Sequence, residues 1–125
     1  MIEIRAARSD ELEVMLAVMC EAFGLPFNPA RDIFLHDPYF DIDKKRVLVL
    51  DGDIISCLTI VDTTLWIGNA PVRVAGIANV ATRQSHRGQG YASQLLRGII
   101  PALHERGYGL SALLPYSYDF YRRLG

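Results

Sequence analysis

Apolar and polar positions alternate in short runs along most of the chain and give way to helical stripes in three places. Ile2 to Ala6 alternates as a first strand. Ser9 reads as a helix N-cap, with Asp10 and Glu11 in the first turn, where the helix dipole favours acids. The third helical position is then Leu12 rather than Glu or Gln, so no capping box is expected. Leu12, Met15, Leu16, Met19 and Phe23 follow at helical spacing, and Gly24 and Pro26 stop the helix. Asn28-Pro29 opens a second helix that carries Ile33 and Phe34 and ends near Asp37-Pro38.

The middle of the chain reads as β. Arg46 to Leu50 and Ile54 to Asp62 are two strands joined at Asp51-Gly52, a pair suited to the positive φ angles of a type I′ turn. Thr64 to Ile67 and Val72 to Thr82 form a second hairpin around Gly68-Asn69, with Pro71 expected to stay out of the ladder. Strict alternation along the last strand puts Val72, Val74, Gly76, Ala78 and Val80 on one face. It puts Arg73, Ala75, Ile77, Asn79 and Ala81 on the other. A helix follows, with the stripe Ala92, Leu95, Leu96, Ile99 and Leu103; Pro101 should kink or thin it and Gly107 closes it. Tyr108 to Leu114 is a last strand, and a short helix reaches Leu124. The expected order is β-α-α-β-β-β-β-α-β-α, a single α/β domain over residues 1–125 with no repeat or linker.

Composition narrows the class. At 125 residues, 50% hydrophobic and 22% charged, the chain suits one globular domain with a core of its own. Thirteen Lys plus Arg against fourteen Asp plus Glu, net -1, gives no reason to expect a nucleic-acid partner. Cys20 and Cys57 are far apart, in no metal-ligand spacing, and read as reduced, buried thiols of a cytoplasmic protein. No signal sequence and no run of membrane-spanning length is visible. The end at Tyr121-Arg-Arg-Leu-Gly125 suggests a fragment of a longer protein, truncated after the last helix.

The stretch that carries chemistry is Val80-Ala-Thr-Arg-Gln-Ser-His-Arg-Gly-Gln-Gly-Tyr-Ala-Ser93, where Gly88 and Gly90 stand between a strand and a helix. A helix N-terminus offers backbone N–H groups without partners and a partial positive charge, and side-chain-free glycines let an anion reach them. A diphosphate could use several at once, with Arg87 adding a charge-assisted contact. The same triplet can be only a tight turn. It is neither a P-loop nor the dinucleotide fingerprint, whose spacings differ.

Arg87-Gly-Gln-Gly-Tyr-Ala92 resembles the Arg/Gln-x-x-Gly-x-Gly/Ala signature of the GNAT acetyltransferase superfamily, and Phe120-Tyr-Arg-Arg-Leu-Gly125 resembles its Phe-Tyr-x-x-x-Gly segment. Val74 to Thr82 and Tyr108 to Pro115 are similar to the N-terminal GNAT region of the Eis (enhanced intracellular survival) family, whose members are longer than this chain. The resemblance implies a GNAT fold, with a mixed, mostly antiparallel sheet flanked by helices. It implies an N-acetyltransferase that moves an acetyl group from acetyl-CoA to a primary amine by direct attack. Backbone groups of Val80, Ala81 and Thr82 would pair with the pantetheine arm as an added strand. Arg87, Gly88, Gln89, Gly90, Tyr91 and Ala92 would hold the pyrophosphate. The final strand, Ser111 to Leu114, would splay from the long one and leave a slot for the thioester. Tyr116 and Ser117 would touch the cofactor near its reactive end.

Tyr121 is the candidate general acid, since a phenol near the sulfur can protonate the departing thiolate. The general base stays open among His36, Glu21 and His86, none of which has a spacing argument. Phe23, Leu25, Phe27 and Trp66 are candidates for the wall of an acceptor pocket. The acceptor could be an aminoglycoside-like polyamine, a lysine side chain or another small amine. A rival reading is a CoA-binding regulatory or structural module without turnover. The truncated sheet edge also suggests self-association into a homo-oligomer.

Overall fold

The computed structural model describes residues 1–115 and 117–124. Five strands form one sheet in chain order: β1 (Ile2–Ala6), β2 (Lys45–Leu50), β3 (Asp53–Ile67), β4 (Ala70–Thr82) and β5 (Leu110–Ala112). Neighbours are antiparallel except β4 and β5, which are parallel. Helices α1 (Leu12–Phe23) and α2 (Phe27–Leu35) cover one face, with a core of Met15, Leu16, Val18, Phe34, Val47, Cys57 and Ala81. Helix α3 (Tyr91–Glu105) covers the other, packing Leu95, Leu96, Ile99 and Leu103 on Leu48, Leu58, Ile60 and Ile77. The short α4 (Tyr118–Arg122) follows β5. This is the α/β, mostly antiparallel architecture read from the sequence.

Several local expectations hold for the reasons given. Asp51 and Gly52 have φ of 50° and 90°, as a type I′ turn requires. Gly24 caps α1 in the left-handed region at φ 65°. The helix expected after the glycine turn is present as Tyr91–Glu105, although Pro101 lies inside it without the expected interruption.

Others are corrected. Ser9 is not the cap of α1: Ser9–Glu11 form a 3-10 turn before it. There the Glu11 carboxylate accepts the Arg8 N–H at 2.8 Å and is gripped by both Nη atoms of Arg5 at 2.8 and 2.7 Å. An ionised carboxylate is a stronger acceptor than a serine hydroxyl. Hydrogen bonding to Arg5 holds the Glu11 pKa down at about 2.

The two strands expected at 54–62 and 64–67 are one continuous β3, so the sheet has one strand fewer. Thr63 and Thr64 are β-branched and suit the pleat. Asp62 is tied across the hairpin to Arg73, with Nη2–Oδ2 at 3.0 Å and Nε–Oδ1 at 3.3 Å. Pro71 joins the ladder opposite Trp66, next to the hairpin tip, where a strand end tolerates its missing donor. The last strand is shorter than expected, since Tyr108 is instead buried beneath the Arg73 guanidinium, 4.1 Å from its ring centroid.

Strict alternation along β4 also fails. Cys57 pairs with Ala81 and Thr59 with Ala78, so Asn79 and Val80 together oppose Leu58. Asn79 has φ 56°. This is a β-bulge, and it resets the faces. Ile77 and Val80 pack toward α3 while Ala81 packs toward α1.

Candidate active site

The β4–β5 ladder consists of Val74–Leu110, Ala75–Ser111 and Gly76–Ala112. Beyond Gly76, β4 continues to Thr82, held among the described residues by β3 alone. The expected splay is therefore present, but β5 ends at Ala112 rather than Leu114. Leu113 and Leu114 face β4 residues 76–80 across a cavity of about 550 Å³, which Phe23, Val61 and Tyr121 also line.

After Thr82 the chain makes a 3-10 turn (Gln84–His86) and enters α3 through Gly88 and Gly90, at φ 76° and 84°. A Cβ at either glycine would meet nothing within 4 Å. Glycine is thus needed here for the left-handed backbone, not for clearance inside the protein. Gly90 is the N-cap and offers no side-chain acceptor; the first helical bond is Gln94 N–H to Gly90 O at 3.0 Å. The N–H groups of the first turn therefore lack intrahelical partners, as a diphosphate site requires.

A second cavity, of about 780 Å³, is lined by Val80, Ala81, Thr82, Arg87, Gly88, Gly90, Tyr91 and Ala92 together. Of the residues expected on the cofactor, Gln89 is not part of that lining, and Ser117 caps α4 by accepting Phe120 N–H at 3.4 Å. Tyr116 lies outside the described residues. Tyr121 is absent from the larger cavity and lines the neighbouring one; Phe23 and Val80 line both and join them. The Tyr121 ring packs edge-on to Phe120 at 4.9 Å.

Two expected backbone acceptors are already engaged on one side. Ser56 Oγ donates to Ala81 O at 2.9 Å, and Arg87 Nε donates to Thr82 O at 3.1 Å. A carbonyl has two lone pairs and a guanidinium five N–H groups, so both retain capacity for a ligand.

The candidate bases separate. His86 lines the larger cavity, with Nδ1 2.7 Å from Ser85 Oγ. Glu21 accepts the Gln84 N–H at 3.1 Å, at the edge of the turn. His36 ends α2 with Nδ1 against Asp32 O at 2.9 Å and lines neither cavity.

Among the pocket-wall candidates, Phe23 is at both cavities, while Phe27 packs into the α1–α2 core. Leu25 is half exposed, and Trp66 is exposed at the hairpin tip. Cys57 is fully buried under α1, and burial pushes its thiol up to about 12. Sequence reasoning missed Val61 and the Asn79 bulge. Only Asn79 carried a signal, as one of the few residue types that tolerate positive φ.

The profile described as "Acetyltransferase (GNAT) domain" matches residues 3–125, and the chain belongs to that family. It superposes on a GCN5-related N-acetyltransferase from Kribbella flavida with a TM-score of 0.91 and 28% identity, covering 100% of this chain and 32% of that one. A GNAT family acetyltransferase from Brucella melitensis, in complex with acetyl-CoA, matches with a TM-score of 0.81 and 21% identity, over 100% and 82% of the two chains. Eis1 from Mycobacterium abscessus matches with a TM-score of 0.80 and 20% identity, over 98% and 30%, which shows a shared fold. No curated protein matches the sequence. The chain thus spans about a third of the Kribbella and Mycobacterium chains and most of the Brucella one.

Proposed function

We propose that the chain transfers an acetyl group from acetyl-CoA to a primary amine by direct attack, with Tyr121 as general acid. The observation that carries this reading is the junction at the end of β4. A one-sided strand, a positive-φ glycine turn and an uncapped helix N-terminus line one cavity, and Tyr121 lines the cavity that adjoins it. Acetyl-CoA supplies the activated thioester. Backbone N–H groups between Arg87 and Ala92 hold its diphosphate, and Val80, Ala81 and Thr82 pair with the extended arm. The Tyr121 phenol gives its proton to the leaving sulfur. The thiols take no part as acyl carriers: Cys57 is buried and hard to ionise, and neither cysteine lines the two cavities. For the base, position favours His86, which lines the larger cavity, whereas neither Glu21 nor His36 lines either one. The acceptor in this reading is an aminoglycoside-like polyamine, a lysine side chain or another small amine.

The test is release of CoA thiol from acetyl-CoA with a panel of primary amines, using the complete natural chain. Amine-dependent release that collapses in Tyr121→Phe, with CoA binding retained, supports the reading. Binding without amine-dependent release from the unaltered protein contradicts it and leaves a CoA-binding module.

A further inference from the structure

Lys45 is 5% exposed, and its surroundings leave its charge poorly compensated. Among the described residues it forms no ion pair, the observed pairs all lying elsewhere. Its Nζ donates to Thr59 Oγ1 at 3.4 Å and sits 4.5 Å and 5.5 Å from the ring centroids of Phe34 and Phe40. An ammonium has three donors, so two remain for another acceptor. Burial lowers the Lys45 pKa, and the charge of Asp37 opposes that shift. A buried cation without a counter-ion is costly unless a ligand supplies one.

Lys45 also lines a cavity of about 330 Å³. This cavity belongs to the same face of the sheet as the thioester slot, and Val61 lines both. Lys45 pairs with Thr59 and Thr59 with Ala78, which lines the slot. Lys45 thus stands two strands from the slot, roughly 10 Å at the usual strand spacing.

Charges around the cavity set what it can take. Lys44 donates to Tyr108 OH at 3.1 Å. The Asp37 and Asp41 carboxylates accept the N–H groups of Tyr39 and Asp43 at 2.9 and 3.0 Å, and Asp62 is paired with Arg73. Two cations, Lys44 and Lys45, and three carboxylates line the cavity; Arg73 stands outside the lining and offsets Asp62, which leaves Lys44 and Lys45 against Asp37 and Asp41. That balance leaves room for a monoanion on Lys45 and opposes a dianion.

We propose that this cavity is a second subsite for the acceptor and binds a carboxylate through Lys45. The acceptors favoured are then amines bearing a carboxylate roughly two strand spacings from the reacting nitrogen. This rests on the acetyltransferase reading above and names its substrate class.

The experiment compares ω-aminooctanoate with ω-aminooctanol as acceptors in the complete protein, and glycine with ethanolamine as a pair too short to span the two sites. The expected KM for ω-aminooctanoate is lower by about tenfold or more, the effect of one charge-assisted bond. Lys45→Met should erase that preference while kcat for ω-aminooctanol stays unchanged, and the short pair should be indifferent to the change. A preference that survives Lys45→Met, an equal loss for both long acceptors, or a stronger preference for the matching ω-aminoalkyl phosphate overturns the proposal. If Lys45→Met does not fold, the unaltered protein carrying 13C-labelled lysine is titrated with acetate. A saturable shift of the Lys45 ε-methylene supports the subsite, and an unmoved resonance overturns it. Transfer to ω-aminooctanol without a carboxylate advantage sinks the subsite alone; no transfer to any amine sinks the acetyltransferase reading, and the acetate titration still decides the subsite.

Discussion

The two ends of β4 have the same kind of sequence and opposite roles. Near its middle, Val74 to Gly76 are held on both sides, by β3 and by β5, and Val74 and Ala75 are almost fully buried. From Ile77 onward β3 is the only strand partner among the described residues, and at Asn79 the backbone bulges. An unpaired strand edge is normally a liability. Here it leads into a turn whose Arg83, Gln84, His86 and Arg87 N–H groups are bonded and to a helix start whose first-turn N–H groups lack intrahelical partners, so an extended anionic ligand can meet both the edge and the helix start. The difference teaches that the site is made by ending β5 early, more than by any single side chain.

The largest effect expected concerns the second half alone. Tyr121→Phe removes one hydroxyl and little volume. Turnover should fall ~100- to 10,000-fold with CoA affinity preserved, as read by single-turnover kinetics and calorimetry. Near-normal turnover with a chemistry-limited step would make Tyr121 a packing residue.

Gly90→Val comes next. The strain arises from φ 84°, since the space around a Cβ is open. Moving Gly90 out of the left-handed region re-aims the N–H donors, and CoA affinity should fall about 10- to 100-fold. Unchanged affinity in a folded variant would remove the turn from the site.

Asn79→Val forces a β-branched residue into positive φ and should destabilise the fold by about 1–3 kcal/mol in chemical denaturation. Asn79→Gly should cost much less. If the two variants behave alike, the bulge does not depend on Asn79.

The smallest effect lies far from the slot. Glu11 is held at about 2, below its ordinary 4.5, so its pairing with Arg5 stabilises the fold above about pH 4.5 and is lost as pH falls toward 2. Glu11→Gln should cost about 1 kcal/mol at neutral pH and flatten the acid denaturation curve in that window. An unaltered acid limb would show the pair to be unimportant.

Much of this was legible before the structure. The stripes of α1 and α3, the Asp51-Gly52 turn and the Arg87–Ala92 junction follow from local chemistry that a sequence states directly. What escaped depends on partners distant in the chain. The continuity of β3 through Asp62 needs Arg73 across the hairpin. The cap at the start of α1 needs Arg5 to organise Glu11. The faces of β4 reverse at a bulge that becomes visible only when Leu58 is set opposite Asn79 and Val80. At the glycines a strand–helix turn was expected and is present, and the structure adds a reason for it: open backbone was expected, and positive φ is what demands glycine.

Amide hydrogen exchange along β4, with and without CoA, tests the asymmetry most directly. The expected result is added protection in residues 78–82 and 88–92 and none in 70–76. Protection spread evenly over β4, or confined to 70–76, would contradict the assignment of the one-sided edge and its glycine turn as the cofactor site.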